Sequence, residues 1–281
     1  MRSPCTLLLF DGQKTTIYPW TKARALEVVL NGPYLTTLHC HELIKICDWL
    51  KEHSEVHSVL LRSSNQFELF GQGPDINYLK NNVDDIIEMA ALIYKLQIMM
   101  FHLPQIFICD LGLGAFNFSF EIALGAQIHL AHEDAEISMD HAKFGITPGQ
   151  FSIKRFSGHP DLSFHLMLTG LKVNLKDVKF LTPVFYQKDQ IQDQQKILNS
   201  IATLAPVARI NIKLELAKNF NLLNHNFKID EKLNLGKENN DWVEALKNWE
   251  TNERPQFQTA KEYLNDLNKN KAEFNFNNIL N

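Results

Sequence analysis

The sequence predicts an α/β fold built from repeated strand–helix units, and two stretches carry this prediction. Residues 25–61 contain a short apolar strand, an amphipathic helix and a second strand, an alternation typical of α/β proteins. Residues 103–149 add another apolar strand, a glycine-bearing turn, a buried helix and two further short strands. The same unit therefore recurs along the chain, and we expect a sheet covered by helices.

The central stretch is the most informative part of the chain. Ile106–Cys109 is rich in β-branched and aromatic residues and predicts a buried strand. Phe116–Gly125 has apolar residues on more than one side, as a buried helix does, and Glu121 lies within it. Ile128–Ala131 and Glu136–Met139 predict two strands. A strand, a glycine turn and a helix start in this order can direct backbone N–H groups at an anionic or polarised oxygen.

The other predicted elements follow from periodicity and from Pro and Gly breaks. Strands are predicted at Thr6–Phe10, Ala25–Leu30, Val56–Leu61 and Val184–Tyr186. Helices are predicted at His41–His53, Asn77–His102, Gln150–Phe156, Pro160–Leu168, Lys176–Leu181, Ile191–Leu204 and Val207–Asn219. The composition becomes rich in Gln, Lys and Asn near the end, so we divide the chain into a core domain, 1–205, and a helical C-terminal region, 206–281.

Composition and charge exclude several classes of protein. A chain of 281 residues with a formal net charge of -4 lacks the basic surface that a protein bound to nucleic-acid phosphates needs. No apolar run approaches the roughly 20 residues of a membrane span. The short apolar start is followed at once by Asp11, unlike a secretory signal, so a cytoplasmic location is expected.

The sequence gives little reason to expect a metal site. The four cysteines show no Cys-x-x-Cys pair, and His39-Cys40-His41 is the only metal-like cluster. Adjacent residues point in different directions on any regular element and rarely bind one ion together. We therefore expect no metal.

Several motifs, in order and at matching spacing, resemble those of the enoyl-CoA hydratase/isomerase (crotonase) superfamily. The resemblance covers roughly residues 25–184 and depends on these segments: Val29-Leu-Asn-Gly-Pro33, Phe70-Gly-Gln-Gly-Pro-Asp-Ile76, Gln127-Ile-His-Leu-Ala131, Glu133-Asp-Ala135, Phe144-Gly-Ile-Thr-Pro-Gly149 and Leu168-Thr-Gly-Leu-Lys-Val-Asn174. The chain is thus identified as a divergent member. The resemblance implies the ClpP/crotonase fold, a spiral of ββα units, with a helical C-terminal region.

The resemblance also implies a function. Members bind an acyl-coenzyme A thioester and hold its carbonyl oxygen with two backbone N–H groups, which stabilises an enolate as it forms. The implied activity is that of a hydratase or isomerase, a lyase or isomerase of fatty acid metabolism. It needs no cofactor apart from the coenzyme A of the substrate. The family's C-terminal helices support assembly, so a homotrimer or hexamer is expected.

The resemblance assigns roles to residues at two places. By position, the oxyanion would be bound by the N–H groups of Gln72 and Phe118. The loop around Gln72 would also contact the substrate through Phe70, Gly73, Asp75 and Ile76.

Glu121 matches the first of two glutamates that move protons in the hydratases, while the second falls at His141, next to Asp140. A histidine can act as acid or base near neutral pH, and Asp140 offers a carboxylate. A structural interpretation is also open, in which Glu121 is a paired core carboxylate and His141 a loop residue. His129 and His132 are expected at a subunit contact or in solvent.

Three functions therefore remain open. In the first, Glu121, with His141 or Asp140, acts on an acyl thioester. In the second, the protein is a catalytically silent crotonase-fold module that binds acyl-CoA or supports assembly. The family's glycine run before the glutamate is Asn117-Phe118-Ser119-Phe120 here, and its two phenylalanines can fill or block the acyl pocket. A hydrolase that uses the same oxyanion geometry is a third possibility, since one fold supports several reactions.

Overall fold

The computed structural model describes residues 12–64, 68–82, 84–178, 181, 183–186 and 190–219. The strands are β1 (Thr15–Trp20), β2 (Ala25–Leu30), β3 (Ser58–Ser63), β4 (Ile106–Asp110), β5 (Gly114–Phe116), β6 (Ile128–Ala131), β7 (Glu136–Ser138), β8 (Val173–Asn174) and β9 (Val184–Phe185). The helices are α1 (Thr37–Lys51), α2 (Ile76–Asn81), α3 (Asp85–His102), α4 (Asn117–Leu124), α5 (Gln150–Phe156), α6 (Pro160–Phe164), α7 (Gln190–Ala202) and α8 (Pro206–Asn219).

The described strands form two sheets. The larger has the order β1-β2-β3-β4-β6-β9, in which β1 is antiparallel to β2 and every other neighbouring pair is parallel. The smaller has the order β5-β7-β8. All six residues of β2 and all five of β4 are buried, as expected for parallel strands covered on both faces. The α/β architecture predicted from the sequence is confirmed.

Alternate residues of the strands point into two apolar layers. On one face, Val59 and Phe107 pack with residues of α1, α3 and α4. On the other face, Leu60 and Ile108 pack with Leu198 of α7. The helices therefore cover the larger sheet on both sides. None of the described helices is long and apolar enough to cross a membrane.

Most element predictions hold, and three agree to the residue: Ala25–Leu30, Ile128–Ala131 and Gln150–Phe156. Residues 206–219 of the predicted C-terminal region form α8, which packs on α3. The rest of that region, 220–281, and the strand predicted at Thr6–Phe10 lie outside the described residues.

The prediction of one helix over Asn77–His102 is wrong. The segment is divided into α2 and α3, and Asn82 between them has a non-helical backbone (φ -136, ψ 60). Asn and Asp side chains compete with helical hydrogen bonds, and this junction contains Asn81, Asn82 and Asp84. The apolar periodicity continues across the junction, and for this reason it concealed the break.

Two shorter helices are also revised. Pro160–Leu168 is helical only to Phe164 and then widens into a π turn over His165–Thr169. In place of the helix predicted at Lys176–Leu181, the structure has one 3₁₀ turn over Leu175–Asp177. Such turns are short, so a pattern of apolar spacing predicts them poorly.

A buried lysine fixes α8 beneath the end of α3. Lys213 is 4% exposed, and its Nζ donates to the carbonyls of Met100 (2.6 Å), Leu103 (2.7 Å) and Gln105 (2.6 Å). The last carbonyls of a helix have no partner within the helix, so this ammonium group satisfies acceptors that burial would otherwise leave unpaired.

We expect Lys213→Met to lower the free energy of unfolding by about 3 kcal/mol, because three buried carbonyls lose their donor while the apolar stem remains. Urea unfolding of the two proteins measures the difference. Lys196→Met, at an exposed position of α7, is the matched control and should change stability by less than about 0.5 kcal/mol. Equal effects of the two substitutions would show that Lys213 does not hold α8.

The two histidines of the central stretch differ. His132 is half exposed, as predicted, with Nδ1 3.6 Å from Asp134. The same expectation is wrong for His129, which is 3% exposed and contacts the carbonyl of Ala123 through Nε2 at 2.8 Å. Burial lowers the pKa of His129 to about 4. The folded protein therefore keeps this imidazole neutral, and the neutral ring donates to the helix carbonyl.

This pKa makes folding sensitive to acid. An unfolded histidine takes up a proton near its ordinary pKa of 6.5, whereas folded His129 does not until about pH 4. The stability is thus complete above pH 6.5 and falls as the pH decreases toward 4. From pH 7 to pH 5, His129 should account for a loss of about 2 kcal/mol in the free energy of unfolding.

Urea unfolding at both pH values tests this, with His129→Gln as the variant and His132→Gln as the control. The His129→Gln protein should lose about 2 kcal/mol less than the parent on acidification, and His132→Gln should behave like the parent. An unchanged acid dependence in His129→Gln would contradict the assignment.

Candidate functional site

The site is organised around the carboxylate of Glu121, which α4 carries into the interior. This helix has no polar face: Phe118, Phe120, Ile122, Ala123 and Leu124 are all buried around it. Glu121 itself is 2% exposed. A charge at this depth is stable only when other groups pair with it, so its contacts define the site.

The two carboxylate oxygens of Glu121 have different partners. Oε2 accepts hydrogen bonds from the Gly149 N–H (3.0 Å) and the Ser152 hydroxyl (2.9 Å). Oε1 lies 2.7 Å from Nε2 of His141. The Gly149 N–H stands where α5 begins, so the positive end of that short helix also faces the carboxylate.

His141 is the partner that the sequence proposed for Glu121, and the structure brings the two together. Its side chain is fully buried at the start of a 3₁₀ turn, His141–Phe144, and its ring centroid is 5.1 Å from that of Phe118. The contact with Glu121 is a close ion-pair approach without the alignment of a straight hydrogen bond. Nδ1 of His141 has no hydrogen-bond partner among the residues that the structure describes.

Asp140, the other candidate partner of Glu121, has different contacts. Its backbone N–H donates to Oδ1 of Asn117 (2.8 Å), and its Oδ2 lies 3.6 Å from Nζ of Lys143. No ion pair or hydrogen bond joins Asp140 to Glu121 in the described part of the chain. The backbone N–H of Asp140 therefore ties the turn before His141 to α4, and this bond does not depend on the Asp140 carboxylate.

Two further polar residues support the carboxylate, and the sequence analysis missed both. Gln97 of α3 donates through Nε2 to the Glu121 carbonyl (2.5 Å) and to Ser152 Oγ (3.3 Å). Gln97 and Ser152 are both completely buried. A glutamine on the buried side of α3, between Ile93 and Met100, was the signal that could have revealed this network.

The oxyanion donors predicted from the resemblance differ in availability. Phe118 is the second residue of α4, where backbone N–H groups have no acceptor within the helix. The N–H of Gln72 instead donates to the Pro33 carbonyl at 2.8 Å. A ligand oxygen would have to replace Pro33 there. The next N–H, that of Gly73, donates to the Ser119 hydroxyl at 3.2 Å.

Ser119 also explains Gly71 in this loop. A Cβ at Gly71 would lie 2.4 Å from Ser119 Oγ, closer than any real contact. Ser119, two residues before Glu121 in α4, therefore packs directly against the loop over residues 70–76. Glycine is needed at Gly71 for close approach, whereas Gly73 adopts a left-handed φ of +94.

Of the residues predicted to bind substrate, some support the fold and one lines a pocket. Phe70 is 2% exposed in the core, and the Asp75 side chain caps α2 by accepting from the Tyr78 N–H (3.1 Å). Ile76 borders an apolar pocket beside His141. Its other lining residues are Pro74, Leu79, Ile86, Asn117, Phe118, Phe144 and Ile146.

The pocket is narrow. Its volume is about 20 Å³, room for about one water molecule. Phe118 narrows it, as the sequence suggested for the two phenylalanines, but Phe120 packs away from it against Phe156, at 6.2 Å between ring centroids. Phe144 narrows it instead. Within the described residues, no group of three or more His, Cys, Asp or Glu side chains could hold a metal ion.

Comparisons with known proteins identify the fold. No protein-family model and no curated protein matches the chain by sequence. Among solved structures, a methylmalonyl-CoA decarboxylase in complex with 2-nitronate-propionyl-CoA matches with a TM-score of 0.71 and 16% identity, over 88% of this chain and 98% of that chain.

Two other similar structures carry hydratase names. An enoyl-CoA hydratase from Mycobacterium avium subsp. paratuberculosis K-10 has a TM-score of 0.70 and 16% identity, over 88% of this chain and 99% of that one. An enoyl-CoA hydratase/carnithine racemase from Magnetospirillum magneticum has a TM-score of 0.67 and 17% identity, over 90% and 98%. Because the chain matches these structures over most of its length with TM-scores of 0.67 to 0.71, it has the crotonase fold.

Proposed function

We propose that the protein is an acyl-thioester enzyme of the hydratase/isomerase type, in which His141 and Glu121 act together to move a proton. The observation that carries the proposal is the position of His141. It borders the apolar pocket and has an unpartnered Nδ1, while Nε2 faces Glu121. The fold, shared with acyl-CoA-processing enzymes, supports an acyl thioester as the substrate class.

The contacts divide the labour between the two residues. Glu121 already accepts two hydrogen bonds on Oε2, so its Oε1 is left to hold the imidazole and to stabilise its protonated form. His141 then takes a proton from the α-carbon, next to the thioester carbonyl of a β,γ-unsaturated substrate, and delivers it to the γ-carbon, so that the double bond moves to the α,β position and His141 acts as general base and then general acid. A carboxylate that orients a histidine is a recurring arrangement in enzymes.

The oxyanion that develops on the thioester would lie at the start of α4. The Phe118 N–H offers one donor there, and the helix dipole adds a positive potential. The Gln72 N–H offers the second donor only when the substrate oxygen replaces Pro33. A single proton-moving nitrogen at an apolar pocket suits isomerisation of an enoyl thioester better than hydration, in which two groups hold one water.

Exchange of the α-protons of an acyl-CoA in D₂O, followed by mass spectrometry, tests proton transfer without knowledge of the product. We expect exchange in the parent protein and a loss of about 10²- to 10⁴-fold in His141→Gln, because the base is removed. Glu121→Gln should lower the exchange rate by a comparable factor, since no carboxylate then orients the imidazole or stabilises its protonated form.

Asp140→Asn is the matched control, because it changes a neighbouring carboxylate that contacts Lys143 and not Glu121. Its exchange rate should equal that of the parent, and thermal unfolding should verify that each variant is folded. Binding of acyl-CoA without exchange in the parent would favour the silent, acyl-CoA-binding module. Equal losses in Asp140→Asn and His141→Gln would remove His141 from the mechanism.

The narrow pocket predicts how chain length is selected. Phe144→Leu should enlarge the cavity and lower the KM for longer acyl chains relative to short ones, because Phe144 is a lining residue. Phe120→Leu removes the same volume from the core away from the pocket and should leave this preference unchanged. A preference that shifts equally in both variants would show a general loosening of the core.

Assembly and location are also part of the proposal. We expect a homotrimer or hexamer in the cytoplasm, acting in fatty acid metabolism. Phe164, Leu168 and Leu171, which are 62%, 70% and 56% exposed, form an apolar segment that self-association would cover. Light scattering gives the oligomer size directly, and a monodisperse monomer would contradict this expectation.

A further inference from the structure

Three basic residues lie at the edge of the larger sheet where its parallel strands begin. Arg24 immediately precedes β2, and His57 precedes β3, with the His57 N–H bonded to the Arg24 carbonyl at 2.7 Å. Arg209 comes from α8, one turn before Lys213, whose ammonium group binds the Gln105 carbonyl directly before β4, and the next residue, Ile106, donates to the His57 carbonyl. Strands β3 and β4 end at the opposite edge, where the segments that lead to the Glu121 site follow, so this cluster is separate from that site.

Arg24 and His57 contact each other, but several other polar atoms of the cluster have no hydrogen-bond partner in the described part of the chain. Nη1 of Arg24 lies 3.4 Å from Nε2 of His57. Arg209 is 4% exposed, yet its Nε and Nη1 donate no hydrogen bond, and Nδ1 of His57, also 4% exposed, has no partner. No carboxylate in the described part of the chain pairs with any of the three side chains.

Lys213 shows how a buried basic side chain on this helix finds hydrogen-bond partners. It is as deeply buried as Arg209, but its ammonium group donates to three carbonyls. A buried cation without such partners is costly, by several kcal/mol in general, because the hydration that it loses is not replaced. Arg209 is therefore the group at this edge that lacks a counterpart.

The electrostatics point to a negative counterpart. Burial, followed by the nearby charges of Arg209 and Arg24, lowers the pKa of His57, and the backbone of Ala202 only partly opposes this shift. Burial also lowers the pKa of Arg209. The two guanidinium groups thus create a positive potential at the neutral imidazole, and an anion among the three side chains would offset that potential and accept the missing hydrogen bonds of Arg209.

We propose that Arg24, His57 and Arg209 form a binding site for a small oxyanion of the phosphate type, either free phosphate or the phosphate group of a small molecule. A guanidinium presents parallel N–H groups that match two oxygens of a phosphate. Donors from three separate segments exceed what the two oxygens of one carboxylate require. Arg24 is exposed and offers the route from solvent.

Titration calorimetry with inorganic phosphate tests the site, with the ionic strength held constant by chloride. The parent protein should bind one phosphate per chain. Arg24→Gln should raise Kd about tenfold or more, because a charge-assisted hydrogen bond is lost at an exposed position where folding is not at risk. Lys22→Gln removes an exposed charge only two residues away and should leave Kd unchanged.

Arg209→Gln provides a second variant from another element. It should abolish binding while thermal unfolding in the absence of phosphate shows a folded protein. In NMR spectra at a fixed pH, the ring signals of His57 should shift on addition of phosphate, and those of exposed His132 should not.

A phosphomonoester and acetate, titrated under the same conditions, identify the source of the anion. Tighter binding of the ester would assign the site to a phosphorylated small molecule, and tighter binding of inorganic phosphate to the free ion. The proposal is overturned if no ligand gives saturable binding, if acetate binds as well as phosphate, or if Lys22→Gln weakens binding as much as Arg24→Gln.

Discussion

The buried carboxylate of Glu121 is the constraint on which the site depends. An ionised carboxylate in an apolar helix requires partners, and here the partners come from two other segments of the chain. Gly149 and Ser152 bring the start of α5, while His141 brings the turn after β7. Gln97 binds the carbonyl of the same residue and fixes α3. The side chain and the backbone carbonyl of this one residue thus connect α4 with α3, α5 and the turn after β7.

The need for partners also gives the two carboxylate oxygens of Glu121 different roles. Because Oε2 is fully occupied, Oε1 has a single task, and the imidazole it contacts is the group that borders the pocket. Glu121 and His141 are in this respect unequal, although a sequence comparison would treat them as two equivalent acid–base residues. The two side chains are equally buried, and their partners separate them: Oε2 of Glu121 accepts two hydrogen bonds, whereas Nδ1 of His141 has no partner in the described part of the chain.

The sequence was sufficient for the architecture and for the pair at the centre of the site. Apolar periodicity located β2, β6 and α5 to the residue, because a buried face leaves a direct pattern in the chain. It concealed the break at Asn82, where the apolar pattern continues while the backbone turns. His129 was misassigned because alternation along a four-residue strand does not reveal that a helix carbonyl covers one side.

The unpredicted features depend on contacts between distant segments. Nothing in the sequence around Gln72 shows that its N–H is bonded to Pro33, and nothing near Arg209 shows which residues it meets. Gln97 was the exception, since a polar residue on an apolar helix face is itself a signal. The local sequence pattern therefore predicts whether a side chain faces the core, whereas its partner from a distant segment is known only from the three-dimensional structure.

Gly149 illustrates how a contact between distant segments restricts the residue type at one position. Its backbone (φ -57, ψ 146) is one that any residue adopts, so turn geometry does not require glycine. A Cβ at this position would lie 2.7 Å from Oε2 of Glu121, the same oxygen to which the Gly149 N–H donates. A side chain at 149 and a carboxylate at 121 are thus mutually exclusive in this geometry. Positions 121 and 149 should therefore vary together, and a related protein without the carboxylate at 121 would no longer need glycine at 149.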